Sequence, residues 1–198
     1  MSAKDRIRWD DIFKKRITED YPSPDSLLME YAPAPENDET PRALDLASGL
    51  GQNGLWLAEQ GYNTDLMDIS RVGLQRARSE MSMRNIRSAN LLQVDIDKLI
   101  LRRSGNCEQL HEICPNYYQL IAVFRYLRRP LFPIFQEALV SGGRIIYETF
   151  NTTYLEQVPD FNPDFLLQLG ELEDTFSNWR IIHYDESSHI TQLVAVKP

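Results

Sequence analysis

Three carboxylates in this chain share one kind of position. Asp45 lies in Ala43-Leu-Asp-Leu-Ala47, Asp68 closes Leu66-Met-Asp68, and Asp95 closes Leu91-Leu-Gln-Val-Asp95. Between the first and the second stands Ser48-Gly-Leu-Gly-Gln-Asn-Gly54, in which Gly49, Gly51 and Gly54 fit G-x-G-x-x-G. Glycines at that spacing let backbone N–H groups approach a ligand where a Cβ would clash. A carboxylate ending the next strand can then take both hydroxyls of a ribose. The glycine pattern alone also admits a nicotinamide or flavin dinucleotide. An acid four residues before the first glycine, and another at the end of the following strand, shift the balance. They suit a ligand with an ammonium group, a ribose diol and an adenine amine but no phosphate, an inventory that S-adenosylmethionine meets. In that reading Asp45 lies under the glycine loop near the amino group, directly or through water. Asp68 accepts from the ribose hydroxyls and Asp95 from the adenine amine. The loop N–H groups and the helix N-terminus after them favour the carboxylate.

These residues need strands that end together and helices that return the chain between them. From Arg42 the pattern alternates, with strands expected near 42–47, 63–67, 89–94, 118–124 and 143–149 and helices near 53–60, 71–84 and 131–140. Such alternation implies parallel pairing with right-handed crossovers. Ser141-Gly142-Gly143 is read as a helix stop before Arg144-Ile-Ile-Tyr-Glu-Thr-Phe150. At the end, 179–184 and 189–196 are joined only by Asp185-Glu-Ser-Ser188, which forces an antiparallel hairpin. The fold class is α/β, a Rossmann-like, seven-stranded, mostly parallel sheet with a C-terminal antiparallel hairpin and helices on both faces. Residues 1–41 form a helical extension, with a helix over Trp9 to Ile17 and a short one through Leu27, Leu28 and Tyr31 capped by Ser23. Residues 42–198 form the cofactor-binding core of one domain.

Composition narrows the function. The 198 residues carry a net charge of −8, with 42% hydrophobic and 25% charged residues, the profile of a soluble globular protein that would repel a polyanion. Nucleic acid and membrane are therefore not expected partners, and the expected partner is a small molecule. No apolar stretch suits a secretory signal or a bilayer span, and two cysteines suggest reduced thiols in a cytoplasmic protein, a monomer or weak homodimer.

With these motifs the sequence resembles the class I S-adenosylmethionine-dependent methyltransferases and, within them, the small tellurite-resistance-type group. The narrower likeness is carried by Trp9-Asp10 with Tyr21-Pro-Ser-Pro24, Arg125-Tyr-Leu-Arg-Arg-Pro130, Tyr147-Glu-Thr-Phe150 and Phe165-Leu-Leu-Gln-Leu-Gly-Glu-Leu172. The chain departs from similar sequences at Arg128, where His is common, at Ser48, where Cys is common, and at Gln119, where Asp usually stands. Its insert from Leu101 to Asn116, with Cys107, His111 and Cys114, is long, and these three lack a strong zinc spacing, so no metal is expected. The resemblance implies Asp45, Ala47, Gly49, Gly51, Asn53, Asp68, Ile69, Asp95, Ile96 and Phe124 as cofactor contacts.

A sulfonium methyl is already an electrophile, so the protein has mainly to align a nucleophile with it and exclude water. An anionic nucleophile, such as a thiolate or a reduced chalcogen, needs no general base. Arg125, directly after Leu120-Ile-Ala-Val-Phe124, is placed to position such a substrate, and Tyr147 or Glu148 can line the same pocket, but not both, because neighbours in a strand face opposite ways. Trp9 and Tyr21 are read as core anchors or as a lid. His183 and His189 are read as satisfied sheet positions. The competing readings are a regulatory protein that binds the cofactor without turnover, and a dinucleotide-dependent oxidoreductase.

Overall fold

The computed structural model describes residues 3–16, 18–35, 41–101 and 112–198. Its strands are β1 (Arg42–Leu46), β2 (Asn63–Asp68), β3 (Ala89–Gln93), β4 (Ile100–Leu101), β5 (Glu112–Ile113), β6 (Tyr118–Phe124), β7 (Leu139–Phe150), β8 (Arg180–Asp185) and β9 (Ile190–Val196). Its α-helices are α1 (Ala3–Lys15), α2 (Ser26–Tyr31), α3 (Gln52–Glu59), α4 (Arg71–Met83), α5 (Phe132–Ala138) and α6 (Glu171–Thr175). Seven strands form one sheet in the order β3-β2-β1-β6-β7-β9-β8, parallel up to β7 and antiparallel from β7 to β9 and from β9 to β8. The expected architecture is the observed one.

The central strands are apolar almost without interruption because both sheet faces are covered. Leu44, Leu46, Ile121, Val123 and Ile145 enter a core on one side with α5 and its Phe132 and Phe135. Ala43, Leu120, Ala122 and Ile146 meet Leu27, Leu28 and Leu57 on the other. From β1 the chain winds outward through α3 to β2 and through α4 to β3, then returns to place β6 on β1's free side. That reversal opens a crevice at the carboxyl ends of β1 and β6, the usual ligand position in such sheets.

Four details differ from expectation. Helix α1 begins at Ala3, six residues early. Helix α2 is preceded by Asp25 in place of Ser23, and Asp25 caps nothing with its side chain. Helix α5 ends at Ala138, and Gly142, at φ +77°, lies inside β7, where the register jumps from Tyr118–Leu139 to Leu120–Arg144. The glycines therefore make a strand irregularity, not a helix stop. Cys114, expected as a free thiol, is disulfide-bonded. Cys107 and His111 lie outside the described residues. Among the described residues no helix is long and apolar enough to cross a membrane.

Candidate functional site

The turn after β1 is held open by backbone conformations that L-residues rarely adopt. Gly49 takes φ +57° and Gly51 +86°, while Ala47, which has a Cβ, takes +55°. Arg125 at the end of β6 is also left-handed, at φ +55°. A non-glycine residue in this region carries roughly 1–3 kcal/mol of strain that the surrounding structure must hold. Here both strained residues flank the same crevice.

Asp68 organises the turn. Its Oδ2 accepts the Gly49 N–H at 2.8 Å and its Oδ1 accepts the Ser70 N–H at 2.7 Å. Burial raises its pKa to about 6 against the pull of those backbone donors, so at neutral pH it is an anion on the crevice wall with acceptor capacity to spare. Asp45 is fully buried beneath the loop, where its Oδ2 accepts the Gly54 N–H at 2.8 Å, and burial raises its pKa to about 8. The folded protein thus keeps a proton at Asp45 that the unfolded chain gives up near pH 4, and this contribution to stability is lost as pH rises through about 8. Asp45→Asn is expected to flatten that loss. Urea unfolding should show the variant gaining relative to the natural protein between pH 6 and pH 8, and a pH-independent difference would refute it.

The cavity, of about 220 Å³, is lined by Ala47, Ser48, Gly49, Asp68, Ile69, Ile96, Phe124 and Arg125 from the sheet's carboxyl ends, and by Trp9 and Phe13 from α1. Six of the ten residues expected to contact cofactor, together with Arg125, are therefore brought together. Asp45, Gly51, Asn53 and Asp95 do not line it. A Cβ on Gly51 would come within 2.9 Å of Leu66 and 2.8 Å of Ala77, so that glycine serves close packing. Asn53 exchanges two hydrogen bonds of 2.9 Å with Asp25. Asp95 accepts the Asp97 N–H and pairs with Lys98 at 3.5 Å. Tyr147 is fully buried, its hydroxyl donating to the Tyr126 carbonyl at 2.7 Å, so of the alternating pair it faces the core. Glu148 faces Arg125 instead, at 3.1 Å.

Arg125 is fixed from two sides. Its other terminal nitrogen meets Asp25 at 2.6 Å, and its own N–H donates to the Glu148 carbonyl at 2.7 Å. Glu148 in turn accepts from Gln192 at 2.8 Å, and the Gln192 Oε1 lies 3.1 Å from His183 Nε2, whose other ring nitrogen is 3.2 Å from the Tyr31 hydroxyl. His183 is thus satisfied within the sheet and by α2. Gln119 accepts the Arg42 N–H at 2.7 Å, a purely structural use of the position.

Helix α1 covers the cavity through a clasp that the spacing of residues did not announce. Asp10 Oδ1 accepts from the Ser70 hydroxyl at 2.6 Å and from the Val72 N–H at 3.1 Å, at the N-terminus of α4. Burial raises the Asp10 pKa, but these donors outweigh it and hold the group below the usual value. Its contribution is therefore present above about pH 4 and lost as pH falls further. Trp9 and Phe13 stack beside it at 5.8 Å, and the Tyr21 hydroxyl donates to the Leu50 carbonyl at 2.6 Å. Asp10→Ala is expected to cost about 1 kcal/mol, as for a lost helix cap. It should raise hydrogen exchange across α1 well before the sheet, and uniform exchange would argue against the clasp.

Three residues of the cavity lining carry a buried polar atom, Ser48 Oγ, Gln52 Oε1 and the Tyr126 hydroxyl, that makes no hydrogen bond among the described residues. Buried polar atoms are ordinarily satisfied. With Asp68 for hydroxyl donors and Ile69, Ile96 and Phe124 as apolar walls for a flat base, this lining fits an adenosine ligand that has polar groups at its other end.

Comparison with known proteins gives the family and the fold. A family model described as tellurite resistance protein TehB matches residues 30–193. No curated protein matches the chain. Among solved structures, TehB from Haemophilus influenzae aligns at TM-score 0.68 with 15% identity, over 96% of this chain and 67% of that one. An S-adenosylmethionine-dependent methyltransferase from Mesorhizobium loti aligns at 0.65 with 16% identity, over 86% and 95%. Geranyl diphosphate C-methyltransferase from Streptomyces coelicolor, solved with S-adenosyl-L-homocysteine, aligns at 0.65 with 11% identity, over 86% and 78%.

Proposed function

The chain belongs to the tellurite resistance protein TehB family, and from that premise we propose that it transfers the methyl group of S-adenosylmethionine to a small-molecule nucleophile such as a thiol, a chalcogen oxyanion or another small anion. The observation that carries this reading is Asp68, an anionic, buried carboxylate that lines the cavity and keeps acceptor capacity beyond its two backbone donors. When bound, the cofactor supplies an electrophilic methyl on a sulfonium, so the protein need not generate a reactive group of its own.

The residues of this chain bind, orient and exclude water. Asp68 takes the ribose hydroxyls with the lone pairs its two backbone donors leave free. Ser48 and Gln52 offer polar atoms, and Gly49 brings backbone within reach. Asp45 acts as a positioning residue, holding the first turn of α3 through Gly54. Trp9 and Phe13 close the cavity from above and keep water from the methyl. Arg125, held by Asp25 and Glu148, is a rigid ridge beside the acceptor, and alignment of this kind can supply on the order of 7–11 kcal/mol of the barrier.

Incubation with methyl-labelled S-adenosylmethionine and a panel of thiols, selenite, tellurite and organic anions, read by mass spectrometry, tests the proposal. A methylated product with stoichiometric S-adenosylhomocysteine is expected. Tight binding of S-adenosylhomocysteine without product across the panel would favour the regulatory reading.

A further inference from the structure

A second cavity, of about 400 Å³, adjoins the first and shares Trp9, Arg125 and Tyr126 with it. Its far walls are aromatic: Phe150, Phe161 and Phe165 line it. They are firmly built. Phe150 stacks on Tyr154 at 4.4 Å and lies 6.2 Å from both Phe161 and His189. The segment bearing Phe165 is tied down by Arg129, which bonds Glu171 at 2.6 and 2.7 Å and the Leu166 carbonyl at 2.9 Å. Phe165 is nevertheless 46% exposed, and Trp9, with Phe13 and Arg8 against its ring, is 36% exposed, so both still present surface to the cavity.

Charge adds a second criterion. Three arginines and two aspartates line the cavity. Arg128 is paired with Asp97 at 2.7 Å and Arg125 with Asp25 and Glu148. Arg8 rests over the Trp9 ring at 5.9 Å and makes no ion pair among the described residues. At the boundary with the cofactor cavity, the Tyr126 hydroxyl is buried without a hydrogen-bond partner among the described residues.

Resting on the methyl-transfer reading above, we propose that the acceptor is a planar, apolar-bodied organic anion, its ring held among Trp9, Phe150, Phe161 and Phe165, its charge answered by Arg8 and a polar atom directed to Tyr126. Size argues against a bare chalcogen oxyanion as the fitted ligand. Four heavy atoms fill the space of a few waters, roughly 100 Å³, whereas the cavity lies in the range of sites for organic ligands. Five aromatic walls, counting Tyr126, would also be a poor exchange for the hydration shell of such an ion.

The test is calorimetric titration of the full chain saturated with S-adenosylhomocysteine, using 1-naphthoate, 1-naphthylmethanol and sodium selenite. Naphthoate is expected to bind at least fivefold more tightly than the alcohol and more tightly still than selenite. Arg8→Gln should erase the preference for naphthoate over the alcohol, and Phe165→Ala should weaken both about tenfold, each with S-adenosylhomocysteine affinity unchanged. Selenite binding as tightly as naphthoate, or an unaltered preference in Arg8→Gln, would overturn the proposal. Failure to bind S-adenosylhomocysteine in the first step would instead strike the cofactor reading.

Discussion

Replacing Asp68 with alanine is expected to weaken S-adenosylhomocysteine binding by roughly tenfold to a hundredfold, the equivalent of about 1.5–3 kcal/mol for hydrogen bonds to a charged group. Two losses combine. The ribose hydroxyls lose their charged acceptor, and the Gly49 and Ser70 N–H groups lose the carboxylate that shapes the turn. The effect is also visible in pH. With the Asp68 pKa at about 6, affinity in the natural protein should fall as pH drops below that value, while the alanine variant should show no step there. Unfolding through this group does not mimic the result. A carboxylate raised by burial from 3.8 to about 6 favours the folded state when protonated, so its contribution to stability is full below about pH 4 and lost as pH rises through 6. Calorimetry at pH 5 and pH 7.5 on both proteins checks the prediction. Equal affinities for the two would remove Asp68 from the site.

Gly73→Ala is expected to destabilise the protein by about 1–3 kcal/mol, the usual cost of forcing atoms into a packed interior, and to weaken cofactor binding with it. Helix propensity alone predicts the reverse, a gain of about 1 kcal/mol for alanine over glycine within a helix. Close approach decides the sign. A Cβ at Gly73 would lie 2.4 Å from the Gly49 carbonyl oxygen and 3.1 Å from its carbon. Both are backbone atoms and cannot rotate away. Nor can α4 withdraw freely, because its N-terminus is capped by Ser70 and clasped by Asp10. The displacement therefore passes to the glycine turn and to the Gly49–Asp68 bond. Urea unfolding and titration with S-adenosylhomocysteine measure both effects, and a variant of raised stability with intact affinity would show that the two backbones are not in contact.

Much of this arrangement was legible beforehand because it is local. The glycine spacing, the acid ending β2 and the apolar residues beside them are read within a few positions of one another, and Ala47, Gly49, Asp68, Ile69, Ile96 and Phe124 all line the cavity. The less legible part concerns the direction in which a carboxylate faces. Asp45 and Asp68 look alike in sequence, yet one points under the loop and the other borders the cavity. Tyr147 and Glu148 are adjacent, and only the register of β7 against β6 assigned the first to the core and the second to Arg125. The roles of Asp10, Asp25 and Gly73 were not legible because their partners are distant in sequence: Ser70 lies 60 residues from Asp10, Arg125 lies 100 residues from Asp25, and Gly73 meets the Gly49 turn that precedes β2. Nothing local announces those contacts.

The sequence by itself determined the order of strands and helices, the glycine turn and the identity of the acid that ends β2, since periodicity and backbone freedom are properties of short segments. Tertiary structure alone decided which polar atoms at the cavity wall find no partner among the described residues, how α1 is clasped over it, and that an aromatic chamber holding Arg8 lies next to it. Those depend on distances between residues far apart in the chain, and only the folded sheet, bringing Trp9, Tyr126 and Phe165 to one crevice, sets them.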